Sequence, residues 1–350
     1  NVVGGLVTDT ATGNGQPAAD MRVGTNPGAR VEVTDDAVLV RDGDHVTKLR
    51  GGRLPTFTQA LLTALSDGPT TLNIGAGVDR ASLLALDSVL AQLVKAGLLE
   101  RGDAADDITN ASAAAIGMWL RVSRTVALPT IAQRLDTACC TVLGTGSLAE
   151  RIAAELTAAG TPTVPVSSAD DVPSTDDPVR DVVVVVGDTD KDPLLHRWNE
   201  LALASGRTWL PALPFDGRRA VVGPWTRPGR SACFTCYQLR RAAAFPDRAI
   251  TDDLVAAQPV RTGGDRAALV PGVALVQTGL VVERVVEWIA LSETNAGLAV
   301  PGSLDTVEVT SNGMQLCNHR LFRVPRCPTC SPARDTGYPM IWFHPNEESR

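Results

Sequence analysis

Thr137-Ala-Cys-Cys-Thr-Val-Leu-Gly-Thr-Gly-Ser-Leu-Ala149 is the stretch from which the fold is read. Residues 137–143 form a short apolar run that predicts a strand. Gly144-Thr-Gly146-Ser-Leu-Ala149 follows, and residues 150–159 carry a helical pattern. A strand, a G-x-G-x-x-A turn and a helix in that order are the Rossmann context. Downstream, residues 161–166 and 181–186 predict a second and a third strand, and the run of valines in the third is what a strand buried on both faces looks like. A helix over 194–205 and a strand over 207–213 continue the alternation, so this part is predicted to be α/β with a parallel sheet. The second strand ends in Val166-Ser167-Ser168, where a dinucleotide enzyme needs an acid for the ribose, and Asp170 and Asp171 come late. The glycines are therefore read as mainly structural, serving a tight turn and close helix–sheet packing. His196 reads as a surface or packing residue inside a helix, and His319 and His344 are isolated.

Seven cysteines include two C-x-x-C pairs, Cys233-Phe-Thr-Cys236 and Cys327-Pro-Thr-Cys330. Each such turn points two thiolates at one centre, and two turns together supply the four sulfurs of a tetrahedral zinc site. A redox dithiol or a disulfide in each pair is the alternative. No His stands near either pair as an activating base, so a closed structural Zn2+ is expected rather than a catalytic one. Cys139, Cys140 and Cys317 read as small buried apolar residues.

Toward the N-terminus, residues 31–34, 37–40 and 45–49 predict three short strands joined by Asp35-Asp36 and by Asp42-Gly43-Asp44. Thr56 and Gln59 fit a capping box after Pro55, with Phe57, Leu61, Leu62 and Leu65 on one helical face; Gly68-Pro69 is expected to end that helix. Leu83, Leu86, Leu90, Leu93 and Val94 mark a second helix that Gly97 terminates. Residues 70–79 between them read as an irregular connection. Three strands and these helices predict a winged-helix-like module over 30–102. The expected organisation is a flexible tail over 1–29, this module, a helical linker over 103–136, and the α/β domain with its zinc site over 137–350.

Two partners suit such a module. A DNA-binding wing needs cations on its recognition helix, but residues 81–96 hold only Lys95, with Arg80 just before. Alternatively a peptide adds as a strand to the open edge of the third strand. The peptide-contact candidates are then His45, Val46, Thr47, Lys48 and Leu49 on the strand and Leu86, Leu90 and Lys95 on the helix. Lys48, Arg50, Arg53 and Lys95 are the cations available to an acidic peptide.

The chain of 350 residues carries a net charge of −7, with 39 acids against 32 Lys and Arg, which disfavours nucleic acid as the partner. An apolar fraction of 44% excludes a wholly disordered chain. Neither a signal peptide nor a membrane span is read, because Glu283, Arg284 and Glu287 interrupt the longest apolar segment, 270–291. A cytoplasmic protein is expected. Residues 272–291 serve equally well as core or as a homodimer surface.

Residues 115–350 resemble the ThiF-like, ubiquitin-activating-type fold. The resemblance rests on Gly144-Thr-Gly146-Ser-Leu-Ala149, the valines of 182–186 followed by Gly187-Asp-Thr-Asp190, Gly223-Pro224, both C-x-x-C pairs and the helix after Pro271-Gly272. Gly223-Pro-Trp, Arg227-Pro-Gly, Ala232-Cys-Phe-Thr-Cys236 and Arg240 together resemble the ThiF-like leader-peptide-binding proteins of ribosomal-peptide clusters. Those proteins serve YcaO-type cyclodehydratases, which turn Cys, Ser and Thr into azolines, as in thiopeptides. The resemblance implies that residues 30–102 are the peptide recognition element and that a precursor leader peptide and a cyclodehydratase are the partners. Active members of the wider fold carry an acidic motif after the second strand, then an Arg-Gln pair and a lysine that contacts ATP. Here about fifteen residues separate Val166 from Val182 and include neither the pair nor a lysine. Asp190 matches the metal-side aspartate, but one acid cannot stabilise phosphoryl transfer alone. No ATP chemistry and no catalytic residue are expected, so the chain reads as a non-catalytic subunit. The alternatives are an active ThiF-like adenylyltransferase and a winged-helix DNA-binding regulator.

Overall fold

A computed structural model describes residues 21–42, 44–66, 70–72, 80–101, 111–121, 126–244, 270–291 and 299–331. His344 and the expected helix end at Gly68-Pro69 lie outside them. The chain divides into two units, Asn1–Ala132 and Gln133–Arg350.

In the first unit, β2 (Ala29–Val33), β3 (Ala37–Asp42) and β4 (His45–Arg50) form the antiparallel sheet the sequence predicts, in that order. A second sheet was not foreseen. Here β1 (Met21–Thr25) lies between β5 (Thr70–Leu72) and β6 (Leu99–Arg101), antiparallel to both. The expected tail over 1–29 is thus wrong from Met21 onward, and part of the supposed irregular connection is strand. Asn26, 2% exposed, secures the end of β1: its side chain donates to Gly97 O at 2.8 Å and accepts from Gly28 N at 2.9 Å.

Helix α1 (Leu54–Ala64) starts ahead of the expected capping box, with Arg53 at its N-cap and no side-chain cap. Pro55 in the first turn explains the shift, since its missing N–H is one the helix start leaves unbonded anyway. Helix α2 (Arg80–Lys95) ends at Gly97 as predicted. Gly97 has φ +80°, its N–H bonds Val94 O at 2.9 Å, and Leu98 N bonds Leu93 O at 2.9 Å, which is a Schellman closure. Val23, Val38, Val40, Leu61, Leu90 and Leu93 join one core from both sheets and both helices. Helix α3 (Ala113–Arg121) follows, and the division between units falls within α4 (Leu128–Thr137).

The second unit is built on a seven-stranded mixed sheet. Strands β7 (Cys140–Leu143), β8 (Thr163–Val166), β9 (Val183–Val186) and β10 (Trp209–Leu213) run parallel in the order β8-β7-β9-β10. Thr137 belongs to α4, so β7 starts later than the apolar run suggested. Three antiparallel strands extend the β10 side: β11 (Arg219–Val222), β12 (Ser303–Thr310) and β13 (Gly313–Arg320). Helix α5 (Ser147–Ala158) crosses from β7 to β8 and α6 (Pro193–Ser205) from β9 to β10. The β8–β9 connection has only a 3-10 turn at Ala169–Asp171. Arg207 holds its far end by donating to Pro173 O and Asp181 O, and Thr175 bonds Asp181.

Helices α7 (Phe234–Ala243) and α8 (Pro271–Leu291) complete the unit. Two of the charges that interrupt the apolar run of α8, Arg284 and Glu287, are paired inside the fold. Arg284 binds Asp305 through two contacts, 2.7 and 3.2 Å, and Glu287 at 3.2 Å, while Asn318 donates to Asp305 at 2.8 Å. All three ionic groups are at most 6% exposed. Ions so deeply buried are tolerated only when paired, and this cluster ties α8 to β12 and β13. Among the described residues no helix is long and apolar enough to cross a membrane.

Candidate functional site

Cys233, Cys236, Cys327 and Cys330 come together, all sulfurs within 4.8 Å of one another. Their Sγ–Sγ distances are 3.8 Å for Cys233–Cys236, 3.8 Å for Cys233–Cys327 and 3.5 Å for Cys236–Cys330. A tetrahedral ion with metal–sulfur bonds of ~2.3 Å sets sulfur–sulfur edges of ~3.8 Å, so the group fits a four-sulfur metal site. A disulfide bond is ~2.05 Å, and the cysteines are free thiols in this geometry. Local backbone creates the arrangement. Cys233 caps α7 and places Cys236 in its first turn. Arg326, at φ +59°, bends the chain into the second knuckle. The Thr235 and Thr329 hydroxyls bond at 2.8 Å, and Arg323 bridges Gly229 O at 3.2 Å and Cys330 O at 2.6 Å. Burial pushes the Cys233 thiol well up. At Cys327 burial is the largest single influence and raises, but hydrogen bonds from the Cys330 and Thr329 N–H groups and from the Cys236 and Cys233 side chains together turn the net direction downward.

The glycine turn lies at the switch point between β7 and β9, where open α/β sheets bind ligands. Gly144 has φ +139°, and a Cβ there would stand 2.5 Å from Val186 O, so close packing alone requires glycine. Gly146, φ +92°, opens α5. A cleft of about 330 Å3 is lined by Gly144, Thr145, Gly146, Glu150, Val166 and Ser167, among others. Among the described residues its lining holds no Lys or Arg, and it places the Glu150 carboxylate in the first turn of α5, the position that would otherwise favour a phosphate. Asp190 is engaged elsewhere. Arg241 binds it at 3.1 Å and Asp216 at 3.2 Å, and Gln238 donates to the Asp190 carbonyl. Gln238 also meets His196 at 3.1 Å, whose ring packs edge-on to Phe234 at 5.9 Å. His196 is thus a packing residue. No motif in the sequence signals Arg241 or Gln238, which reach Asp190 from another helix.

In the first unit, β4 ends its sheet, and no described strand covers its far side. The direction of its backbone groups follows from one bond. Thr34 N donates to Ala37 O at 2.9 Å, so Ala37 faces β2. Successive residues of an antiparallel strand bond to opposite sides. Val38, Val40 and Asp42 therefore bond toward β4, and their partners Leu49, Thr47 and His45 bond back. Val46, Lys48 and Arg50 aim N–H and C=O away from the sheet.

His45, Val46, Thr47 and Lys48 are exposed, and Leu49 is half-buried in the core. The helix laid across β4 is α1, whereas α2 packs on β6. Leu86 is half-buried and Lys95 exposed, but Leu90, expected to line the peptide groove, has no exposed surface and instead holds α2 on the core. The side chain of Leu83 lies outside the described residues.

No family model and no curated protein sequence matches the chain. Solved structures do. A heterocyclase in complex with substrate and cofactor matches at 19% identity with a TM-score of 0.60, over 89% of this chain and 40% of its own. The heterocyclase TruD matches at 20% and 0.60, over 89% and 43%. MccB, the microcin C7 biosynthetic enzyme, in complex with N-formylated MccA, matches at 13% and 0.54, over 89% of this chain and all of its own. The fold is shared with these proteins, and the chain spans about two fifths of the heterocyclases' length.

Proposed function

We propose that this chain recruits a ribosomally made precursor peptide by its leader and presents it to a YcaO-type cyclodehydratase for azoline formation, as in thiopeptide assembly, in the cytoplasm. The carrying observation is the open edge of β4, whose Val46, Lys48 and Arg50 backbone groups await a strand partner. An extended leader adds there by main-chain hydrogen bonds, with specificity from the flanking side chains. Leu49 offers half-buried apolar ground on the edge strand and Lys48 the charge, whereas Leu86 and Lys95 sit on α2, which packs on β6. The fold likeness to a heterocyclase bound to its substrate and to MccB bound to MccA supports a role in ribosomal-peptide modification.

Catalysis is assigned to the partner. Asp190 is held by Arg241, and the described lining of the glycine cleft offers an anion no cation. Cys233, Cys236, Cys327 and Cys330 would hold a zinc ion that supplies stability and no reaction step. Bound metal of this kind contributes ~10–16 kcal/mol, comparable with the stability of a whole domain, ~5–15 kcal/mol. Tethering the leader raises the effective concentration of the core peptide at the partner's active site.

The test is fluorescence polarisation of the labelled leader encoded beside the gene, without ATP, together with ATP–pyrophosphate exchange in the presence of the precursor. Saturable binding with background exchange is expected. Exchange that depends on magnesium and disappears in Asp190→Ala would establish the adenylyltransferase instead.

A further inference from the structure

The strand pairing sorts the side chains of the β2–β3–β4 sheet onto two faces. Val31, Val33, Val38, Val40 and Leu49 belong to the core face. Their alternates form the outer face, where Arg30 pairs with Arg41, Glu32 and Lys48 flank Leu39, and Val46 pairs with Arg41. Arg50 follows opposite Ala37. Arg30, Arg41, Lys48 and Arg50 are all exposed there, and among the described residues of these three strands Glu32 is the one acid on that face. Asp36, in the β2–β3 turn, approaches Lys48 only to 4.0 Å, with its side chain 71% exposed. This is a cationic surface on a chain of net charge −7.

A strand added to β4 continues the pleat, so its alternate side chains divide between the same two faces. Those on the core side fall beside Thr47 and Leu49. Those on the outer side fall ~5 Å from Val46, Lys48 and Arg50, with Arg41 one strand further, inside the ~8–10 Å screening length. Resting on the β4-edge reading above, we infer that the site selects a two-faced extended peptide: acidic residues at alternate positions, i and i+2, over Lys48 and Arg50, with apolar residues between them toward the helices. Adjacent acids cannot satisfy this pattern, because they would place one carboxylate against Leu49 and the core.

Two acids facing two exposed cations should raise affinity roughly 3- to 10-fold at low salt. The effect should fade as salt rises.

The experiment is selection of a phage-displayed library of random decapeptides on the full chain, with Val46→Pro as the background. Selected peptides are then titrated at low and high salt against wild type and a Lys48→Glu/Arg50→Glu variant whose fold is checked by circular dichroism. Enrichment of Asp or Glu at alternate positions, weakened by salt and reversed toward Lys or Arg by the variant, is the expected result. The wild-type selection decides the matter even if that variant fails to fold. Peptides that depend on the Val46 edge but carry no alternating acids would overturn this inference and leave strand addition standing. No enrichment over Val46→Pro would overturn both. Displacement of the selected peptides by a 20-base-pair duplex would make the cationic face a nucleic-acid surface and also overturn it.

Discussion

Proline placed at Val46 or at Thr47 should have opposite consequences, although the two residues are neighbours. Thr47 bonds inward to Val40, whose residue is fully buried. Thr47→Pro removes that hydrogen bond, worth ~0.5–1.5 kcal/mol net, and leaves the Val40 carbonyl without its donor, another ~1–3 kcal/mol. The variant should lose roughly 2–4 kcal/mol of stability in the first unit. Val46 aims its N–H outward, and the residue is 63% exposed. Proline is tolerated on an edge strand with its nitrogen toward solvent, so Val46→Pro should cost less than ~1 kcal/mol. Peptide binding should show the reverse sensitivity. With its donor gone, the Val46 position cannot donate to an incoming strand, and the leader carbonyl opposite stays unpaired. A loss of roughly 10- to 100-fold follows. Urea denaturation gives the stabilities and fluorescence polarisation the affinities. A Val46→Pro chain that unfolds more readily than Thr47→Pro would show the strand's parity to be inverted. One that folds and binds leader normally would refute strand addition itself.

Further consequences follow from other parts of the molecule. Purified chain should contain about one zinc per molecule by elemental analysis, and Cys233→Ser should lose the metal and melt earlier; a folded, zinc-loaded Cys233→Ser would contradict the tetracysteine clip. Arg284→Met leaves the Asp305 and Glu287 carboxylates buried without their cation, so a destabilisation of ~3–5 kcal/mol is expected in thermal or chemical unfolding. Gly144→Ala sets a methyl group against Val186 O and should destabilise the second unit by ~1–3 kcal/mol in the same assay, whether or not any ligand is present.

What the sequence disclosed is what local chemistry determines. The three strands β2 to β4 alternate within a few residues of Asp-rich turns, α2 stops at a glycine, and the valines of 183–186 look like, and are, a strand buried on both faces. The four cysteines declared themselves by spacing. What stayed hidden depends on distant partners. Strand β1 is five residues containing a glycine, and it is a strand because β5 and β6, each three residues long, close on it from far along the chain. Arg241 gives no local sign that it neutralises Asp190. Leu90 showed the periodicity of a groove residue and of a core residue equally, and only packing separates them. The parity of β4 is likewise a property of its pairing with β3, which no composition of His45–Arg50 reveals.

Amide hydrogen exchange by NMR on the full chain, with and without the leader peptide, tests strand addition at β4. New protection is expected at Val46, Lys48 and Arg50, with little change at Thr47 and Leu49, whose amides are already bonded to β3. Protection that appears instead around Gly144–Glu150, with β4 unaltered, would contradict it.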